Sequence, residues 1–147
     1  MQRVTSNLPN GSDYVLDSYA LLAYLKDEPC SERIEELFGE AREGMCHLYL
    51  CVVNLGEVMY ITERDKGQSK AQDTLSMIND LPIEIIDVDR ALTLAAAHLK
   101  ADCPIAYADC FAAALSQLKN ATLVTGDPEF NKLKPDSHVR IEWLVVA

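Results

Sequence analysis

Short apolar runs alternate along the chain with longer segments whose apolar residues are spaced as on one face of a helix. The first run, Tyr14–Asp17, is typical of a strand, and Tyr19, Leu21, Leu22 and Leu25 behind it fall near helical spacing. Further strands are predicted over 48–53, 83–86, 121–124 and 139–145, and further helices over 31–44, 54–66, 69–80, 90–100 and 106–118. This alternation predicts an α/β fold with a mainly parallel central sheet and helices on both faces.

Two helix starts carry capping signals. Asp127 stands before Pro128, an order that suits an N-cap followed by the first position of a short helical turn. Glu35 follows Ser31 closely enough to predict a capping box at the start of the second helix.

Length and composition predict one globular domain. The chain has 147 residues, of which 49% are hydrophobic and 24% charged. Residues 1–12 are rich in Asn, Pro, Gly and Ser without periodicity, so we expect a flexible leader there and a single domain over 13–147. No apolar stretch approaches the roughly 20 residues that cross a bilayer, and no secretory signal is visible, which predicts a cytoplasmic protein.

Cysteine usage and net charge restrict the function classes further. The five cysteines are odd in number and contain no C-x-x-C pair, so we expect buried thiols and neither a disulfide framework nor a zinc site. His47, His98 and His138 are too scattered to suggest a metal cluster or a catalytic triad. With 13 basic and 23 acidic side chains the net charge is −10, so any nucleic-acid binding requires a local positive surface.

Four acidic residues stand out by position, and three of them lie at predicted strand-to-helix or loop-to-helix junctions. Parallel sheets bind their ligands outside the carboxyl ends of the strands. Asp17 ends the first strand, Glu57 lies in the helix after the second, Asp109 opens a helix, and Asp127 follows the fourth strand. Each has an ordinary structural explanation as a cap, a dipole partner, a turn residue or a solvent-facing helical acid. They converge only if their strands and helix starts are neighbours.

The segments around these acids resemble the motifs of the PIN-domain nucleases. In chain order they read VLDSYALLAYL over 15–25, VNLGEVM over 53–59, YADCFAAA over 107–114 and LVTGDPEF over 123–130. The resemblance extends from Tyr14 to about Phe130. The size of the chain and the NLGE segment over 54–57 are most similar to the VapC-type toxins of toxin–antitoxin pairs.

The resemblance implies a metal-dependent endoribonuclease that leaves 5′-phosphate and 3′-hydroxyl ends, with an antitoxin partner and a homodimer. Its catalytic acids are matched by Asp17, Glu57, Asp109 and Asp127, which we call the acidic quartet. Three polar residues fall beside the quartet and are expected to orient its carboxylates or bound waters: Ser18, Asn54 and Thr125.

The residue types of the quartet fit a hard divalent cation independently of the resemblance. Mg²⁺ and Mn²⁺ prefer oxygen ligands, and Mg²⁺ is usually held by a few carboxylates together with water and substrate phosphate. Asp17 and Asp109 are expected as direct ligands, Asp127 completes the set, and Glu57 holds a metal-bound water or a second ion. Four adjacent carboxylates repel one another, so the empty site is expected to be loose or partly protonated.

An RNA substrate requires positive charge around an acidic centre. The candidates are Arg64, Lys66 and Lys70 between two helices, and Lys132 and Lys134 after the Asp127 turn. Each is equally explained as solvated surface charge.

Two other functions remain open at this point. A PIN-like domain that binds RNA or protein without cleaving it would accord with the acidic surface. A phosphate-accepting receiver domain would use Asp87 after the third strand, but the acid pair after Asp17 and the lysine ending a later strand are missing.

Overall fold

A computed structural model of the chain describes residues 13–145, so the predicted leader over 1–12 lies outside the described residues. The strands are β1 (Tyr14–Leu16), β2 (Leu48–Cys51), β3 (Glu84–Ile86), β4 (Thr122–Thr125) and β5 (Ile141–Trp143). The helices are α1 (Ser18–Leu25), α2 (Ser31–Arg42), α3 (Val52–Lys66), α4 (Gln68–Asn79), α5 (Arg90–Asp102) and α6 (Tyr107–Lys119). Two short 3-10 helices cover Pro128–Lys132 and Pro135–Ser137.

The five described strands form one parallel sheet in the order β3-β2-β1-β4-β5. The central strand β1 pairs with β2 and β4, and Leu16 lies opposite both Leu50 and Val124. The three central strands therefore end level with one another. The strand order reverses at β1, because β2 and β3 lie on one side of it and β4 and β5 on the other. Open parallel sheets form a ligand crevice at such a point.

Helices cover both faces of the sheet, as predicted. Val15 and Leu123 point to one face and pack with Phe111 and Leu115 of α6. The neighbouring residues Leu16 and Val124 point to the opposite face, because side chains alternate along a strand. There they pack with buried apolar residues of α1, α2 and α4, namely Leu21, Phe38 and Ile78.

Most predicted elements are present, and three local predictions need correction. The strand predicted over 48–53 ends at Cys51, because Val52 and Val53 already belong to α3. The edge strand predicted over 139–145 is confirmed at the edge but is confined to Ile141–Trp143. The capping box at Ser31 is wrong, since Cys30 is the N-cap of α2 and no side chain caps that end.

All five cysteines are buried and carry free thiols, as the sequence predicts. They add apolar volume to the core rather than covalent links. No helix of the described part is long and apolar enough to span a membrane.

Candidate active site

Asp17 occupies the centre of the crevice, between the end of β1 and the start of α1. Its side chain is 1% exposed and is the N-cap of α1, with Oδ1 accepting the Ala20 backbone N–H at 2.8 Å. Its Oδ2 accepts a hydrogen bond from the Thr125 hydroxyl. Burial raises the pKa of Asp17 to about 7, although both hydrogen bonds favour the ionised form. Asp17 therefore caps α1 and also carries a strongly raised pKa.

Asp109 lies in the first turn of α6 and is 8% exposed. Burial and, to a smaller extent, the negative charges of Asp127, Glu57 and Glu129 together raise its pKa to about 6. Asp109 and Asp127 also raise the pKa of Asp17. Helix α6 packs against the sheet through its alanine-rich turns, which brings Asp109 to the carboxyl end of the central strands. The quartet members are thus electrostatic neighbours, despite being far apart in the sequence.

Thr125 and Asp127 connect β4 to the crevice. The fully buried Thr125 hydroxyl donates to Asp17 and accepts the Asp127 backbone N–H at 3.0 Å. The Asp127 carboxylate accepts the Glu129 backbone N–H at 2.9 Å and is the N-cap of the 3-10 helix Pro128–Lys132, as predicted. Thr125 therefore fixes the relative position of two acids of the quartet.

Glu57 is held by Asn54 from the preceding turn of α3. The Asn54 amide is fully buried and donates to Glu57 Oε1 at 2.9 Å and to the Ala108 carbonyl at 3.2 Å. Because Ala108 precedes Asp109, this amide connects α3 to the start of α6. Its Oδ1 has no hydrogen-bond partner among the described residues. A buried acceptor of this kind needs a donor, which a bound water would supply.

The remaining polar and basic candidates have fewer contacts with the quartet. Ser18 is half-buried in the first turn of α1, and no side-chain hydrogen bond to it is found within residues 13–145. Lys132 pairs with Glu129 at 2.9 Å, which brings it close to the quartet. Lys134 pairs with Asp102 at 2.7 Å and Arg64 with Asp65 at 3.0 Å, all of them exposed.

Lys66 and Lys70 lie elsewhere. They line a groove of about 200 Å³ between α1, α3 and α4, together with Leu22, Ile61 and Met77. The five basic candidates therefore do not form one continuous rim around the quartet.

Two neighbours of the quartet were not predicted from the sequence. Glu129 is close enough to raise the pKa of Asp109, so a fifth carboxylate lies near the quartet. The Tyr19 ring lies directly on the backbone of Gly126. The signal for Glu129 is its position two residues after Asp127 in the turn that Pro128 begins, whereas nothing in the sequence pairs Tyr19 with Gly126.

The match to known families agrees with this geometry. The model of the PIN domain family matches residues 14–134, which contain the whole sheet except β5 and all four acids of the quartet. The chain belongs to the PIN domain family. This confirms the resemblance that the four motifs indicate. No curated protein matches the sequence.

Solved structures similar to this PIN domain include proteins of VapBC toxin–antitoxin systems. VapBC2 of Rickettsia felis, bound to a DNA fragment from its promoter, is 22% identical, with a TM-score of 0.70, and the match covers 90% of this chain and 99% of that one. The DNA-bound VapBC of Salmonella typhimurium is 16% identical, with a TM-score of 0.71 and coverages of 90% and 98%. VapC20 of Mycobacterium tuberculosis, described as a toxin that cleaves the sarcin–ricin loop, is 14% identical, with a TM-score of 0.64 and coverages of 80% and 92%. These similarities confirm the fold and extend over almost the full length of each matched chain.

The donor set of the PIN-domain crevice fits a hard divalent cation. Within residues 13–145, no three Asp, Glu, His or Cys side chains approach closely enough to ligate one ion by themselves. Such ions commonly take only one or two carboxylates and fill the other positions with water and phosphate oxygens. Burial and the neighbouring carboxylates raise the pKa of Asp17 and Asp109, so both disfavour negative charge at these positions. A bound divalent cation would offset this effect.

Replacing Thr125 by the isosteric valine tests how this PIN domain orients its acids. Thr125→Val removes the donor to Asp17 and leaves the Asp127 N–H without its acceptor. We expect a loss of about 1–3 kcal/mol in the free energy of unfolding, measured by urea titration. The pKa of Asp17 should rise further, because the hydrogen bond that favours its ionised form is gone.

Thr93→Val is the matched control. The Thr93 hydroxyl donates to the exposed Asp89 backbone carbonyl at 2.8 Å and, unlike that of Thr125, accepts no hydrogen bond from the described residues. An equal loss of stability in the two variants would contradict a special role for Thr125.

Proposed function

We propose that this PIN domain is a metal-dependent endoribonuclease and the toxin of a toxin–antitoxin pair. The observation that carries the proposal is the convergence of Asp17, Glu57, Asp109 and Asp127 at the carboxyl end of the central strands, where burial and mutual repulsion raise the pKa of two of them. Strongly perturbed carboxylates in a crevice are characteristic of catalytic sites. Their oxygen atoms are also the donors that phosphodiester-cleaving metal sites use.

Within this proposal the residues of the quartet have different roles. Asp17 and Asp109 would ligate a Mg²⁺ or Mn²⁺ ion directly, Asp127 would complete the shell through a bound water, and Thr125 keeps the Asp17 carboxylate in a fixed orientation. When bound, the ion supplies positive charge to the phosphoryl oxygens and lowers the pKa of water at the site. Glu57 has its Oε1 engaged by Asn54, so Oε2 is the oxygen that accepts a proton from the attacking water.

The reaction is hydrolysis of one phosphodiester bond. The water oxygen bonds to phosphorus while the bond from phosphorus to the 3′-oxygen breaks. The 3′-oxygen takes up a proton from solvent water and Glu57 releases the proton that it accepted to solvent, so the products carry a 5′-phosphate and a 3′-hydroxyl. The protein orients the reactants and transfers the proton. Both roles depend on the present relative positions of the four carboxylates.

The proposed partners are an RNA substrate, an antitoxin protein and a second copy of the chain, in the cytoplasm. The support for an antitoxin is that the similar structures from Rickettsia felis and Salmonella typhimurium are VapBC assemblies. The support for RNA is that the similar VapC20 is described as cleaving the sarcin–ricin loop. We assign RNA contact to the basic residues Arg64, Lys66, Lys70, Lys132 and Lys134, of which Lys132 is linked to the quartet through its pairing with Glu129.

Removal of the metal tests the proposed function. Protein freed of any copurified partner by denaturation and refolding is incubated with a pool of structured RNA in Mg²⁺, in Mn²⁺ or in EDTA. We expect cleavage in either metal, none in EDTA, and fragments with 5′-phosphate ends. Refolded protein that binds the RNA in Mg²⁺ but leaves it intact would overturn the nuclease and favour a non-catalytic binding module.

A further inference from the structure

Tyr19 lies beside the acidic quartet, in the first turn of α1. It is the second residue of α1, two positions after Asp17, and its ring lies on Gly126, the residue before Asp127. We infer that Tyr19 contacts the RNA substrate directly and donates a hydrogen bond from its hydroxyl to a phosphate oxygen of the bound strand. The inference rests on the proposed function and adds a substrate-contacting residue to it.

The packing of the ring locates the hydroxyl. A Cβ atom added to Gly126 would overlap Tyr19 Cε1 and would lie 2.8 Å from Cζ and 3.0 Å from the hydroxyl oxygen. These are atoms of the phenol end of the ring. The hydroxyl therefore lies against the backbone between Thr125 and Asp127, beside the crevice and not in the interior of the core.

The hydroxyl is also without a partner. Tyr19 is half-buried, and no hydrogen bond of its hydroxyl is found in the described part of the chain. Tyr24 on the same helix differs in where its ring lies, because it packs edge-on against Phe38 at 4.8 Å. A half-buried donor beside a ligand crevice is suited to bind an acceptor on the ligand.

The charge around Tyr19 explains why a neutral donor suits this place. A lysine or arginine here would pair with the carboxylates, as Lys132 does with Glu129. Such a pair would compete with a metal ion for the same oxygen atoms. A phenol hydroxyl binds a phosphate oxygen without neutralising the quartet, and a hydrogen bond to a charged group is among the stronger ones.

Gly126 fixes this arrangement by leaving room for the ring. Any larger residue would drive the ring away from its present place, because the overlap involves the ring carbons themselves. The need for glycine at 126 is thus steric and depends on Tyr19. This coupling can be measured.

The test combines RNA binding, KM and kcat for Tyr19→Phe, Tyr19→Ala, Gly126→Ala and the Tyr19→Ala/Gly126→Ala double variant. The substrate is the structured RNA pool, and binding is measured by fluorescence anisotropy with a labelled RNA from that pool in an Asp109→Asn background. Tyr19→Phe keeps the ring and removes the donor, so KM and Kd should rise about tenfold with the thermal midpoint unchanged. Gly126→Ala should show a similar rise, but should add nothing once Tyr19 is alanine. Tyr24→Phe is the control and should match the wild type.

The outcomes separate the inference from the proposed function. Wild-type cleavage with unchanged KM and Kd in Tyr19→Phe would overturn the role of Tyr19 and leave the nuclease intact. A lowered thermal midpoint without a change in KM would assign Tyr19 a structural role and overturn the inference as well. Wild-type protein that neither cleaves nor binds the RNA in Mg²⁺ would overturn both.

Discussion

Asp109→Asn should abolish RNA cleavage, with a rate at least about 100-fold below wild type, because a catalytic metal supplies several kcal/mol of charge stabilisation. The substitution keeps the shape of the side chain but removes an oxygen ligand and its negative charge. It should not unfold the protein. The buried carboxylate has a raised pKa, and an amide at this position carries no charge for Asp127, Glu57 and Glu129 to repel.

The measurement is the initial rate of RNA cleavage in Mg²⁺ at pH 8, with circular dichroism to verify folding. Asp89→Asn is the matched control, because Asp89 is an exposed N-cap that accepts the Leu92 N–H at 2.9 Å, and asparagine caps a helix equally well. Its rate should equal that of the wild type. A folded Asp109→Asn protein that cleaves at the wild-type rate would exclude the proposed mechanism.

The positions of two quartet acids were predictable because parallel strands place their carboxyl ends at one edge. Asp17 and Asp127 follow β1 and β4 directly, and these strands are neighbours in the sheet. Asp109 required the motif, since the distance from β3 through α5 to the start of α6 says nothing about where α6 packs. Its burial follows from the alanine-rich α6, whose small side chains pack closely against the sheet.

Contacts that depend on tertiary packing could not be predicted from the sequence. Asn54 was expected beside the quartet, but its bond to the Ala108 carbonyl exists only because α3 and α6 meet. The sequence placed Tyr19 only on the apolar spacing of the first helix, and the passage of Gly126 beneath its ring identifies it as part of the crevice. The basic candidates were chosen by charge alone. Their ion pairs with Glu129, Asp102 and Asp65 depend on which acids the fold brings near.

The metal-free protein should lose stability as the pH rises from about 4 to about 7. Asp17 has an ordinary pKa of 3.8 in the unfolded chain and a pKa of about 7 in the fold. Between these values the unfolded chain releases the proton while the folded protein retains it, so rising pH favours unfolding. At about 1.4 kcal/mol for each pKa unit, the loss from Asp17 reaches up to about 4 kcal/mol above pH 7. Asp109 acts in the same direction, with a pKa of about 6 in the fold.

Urea unfolding at pH 5 and pH 8, in EDTA and in Mg²⁺, measures this dependence. The Asp17→Asn/Asp109→Asn double variant retains every other titrating group, so the difference between the two proteins isolates these carboxylates. We expect the wild type to be destabilised relative to the variant at pH 8 in EDTA. Mg²⁺ at about 100 times its Kd should restore about 2.7 kcal/mol to the wild type and nothing to the variant. Identical pH and Mg²⁺ responses in the two proteins would mean that the buried carboxylates neither carry this unbalanced charge nor hold the ion. The same four conditions thus test the electrostatics of the crevice separately from its catalysis.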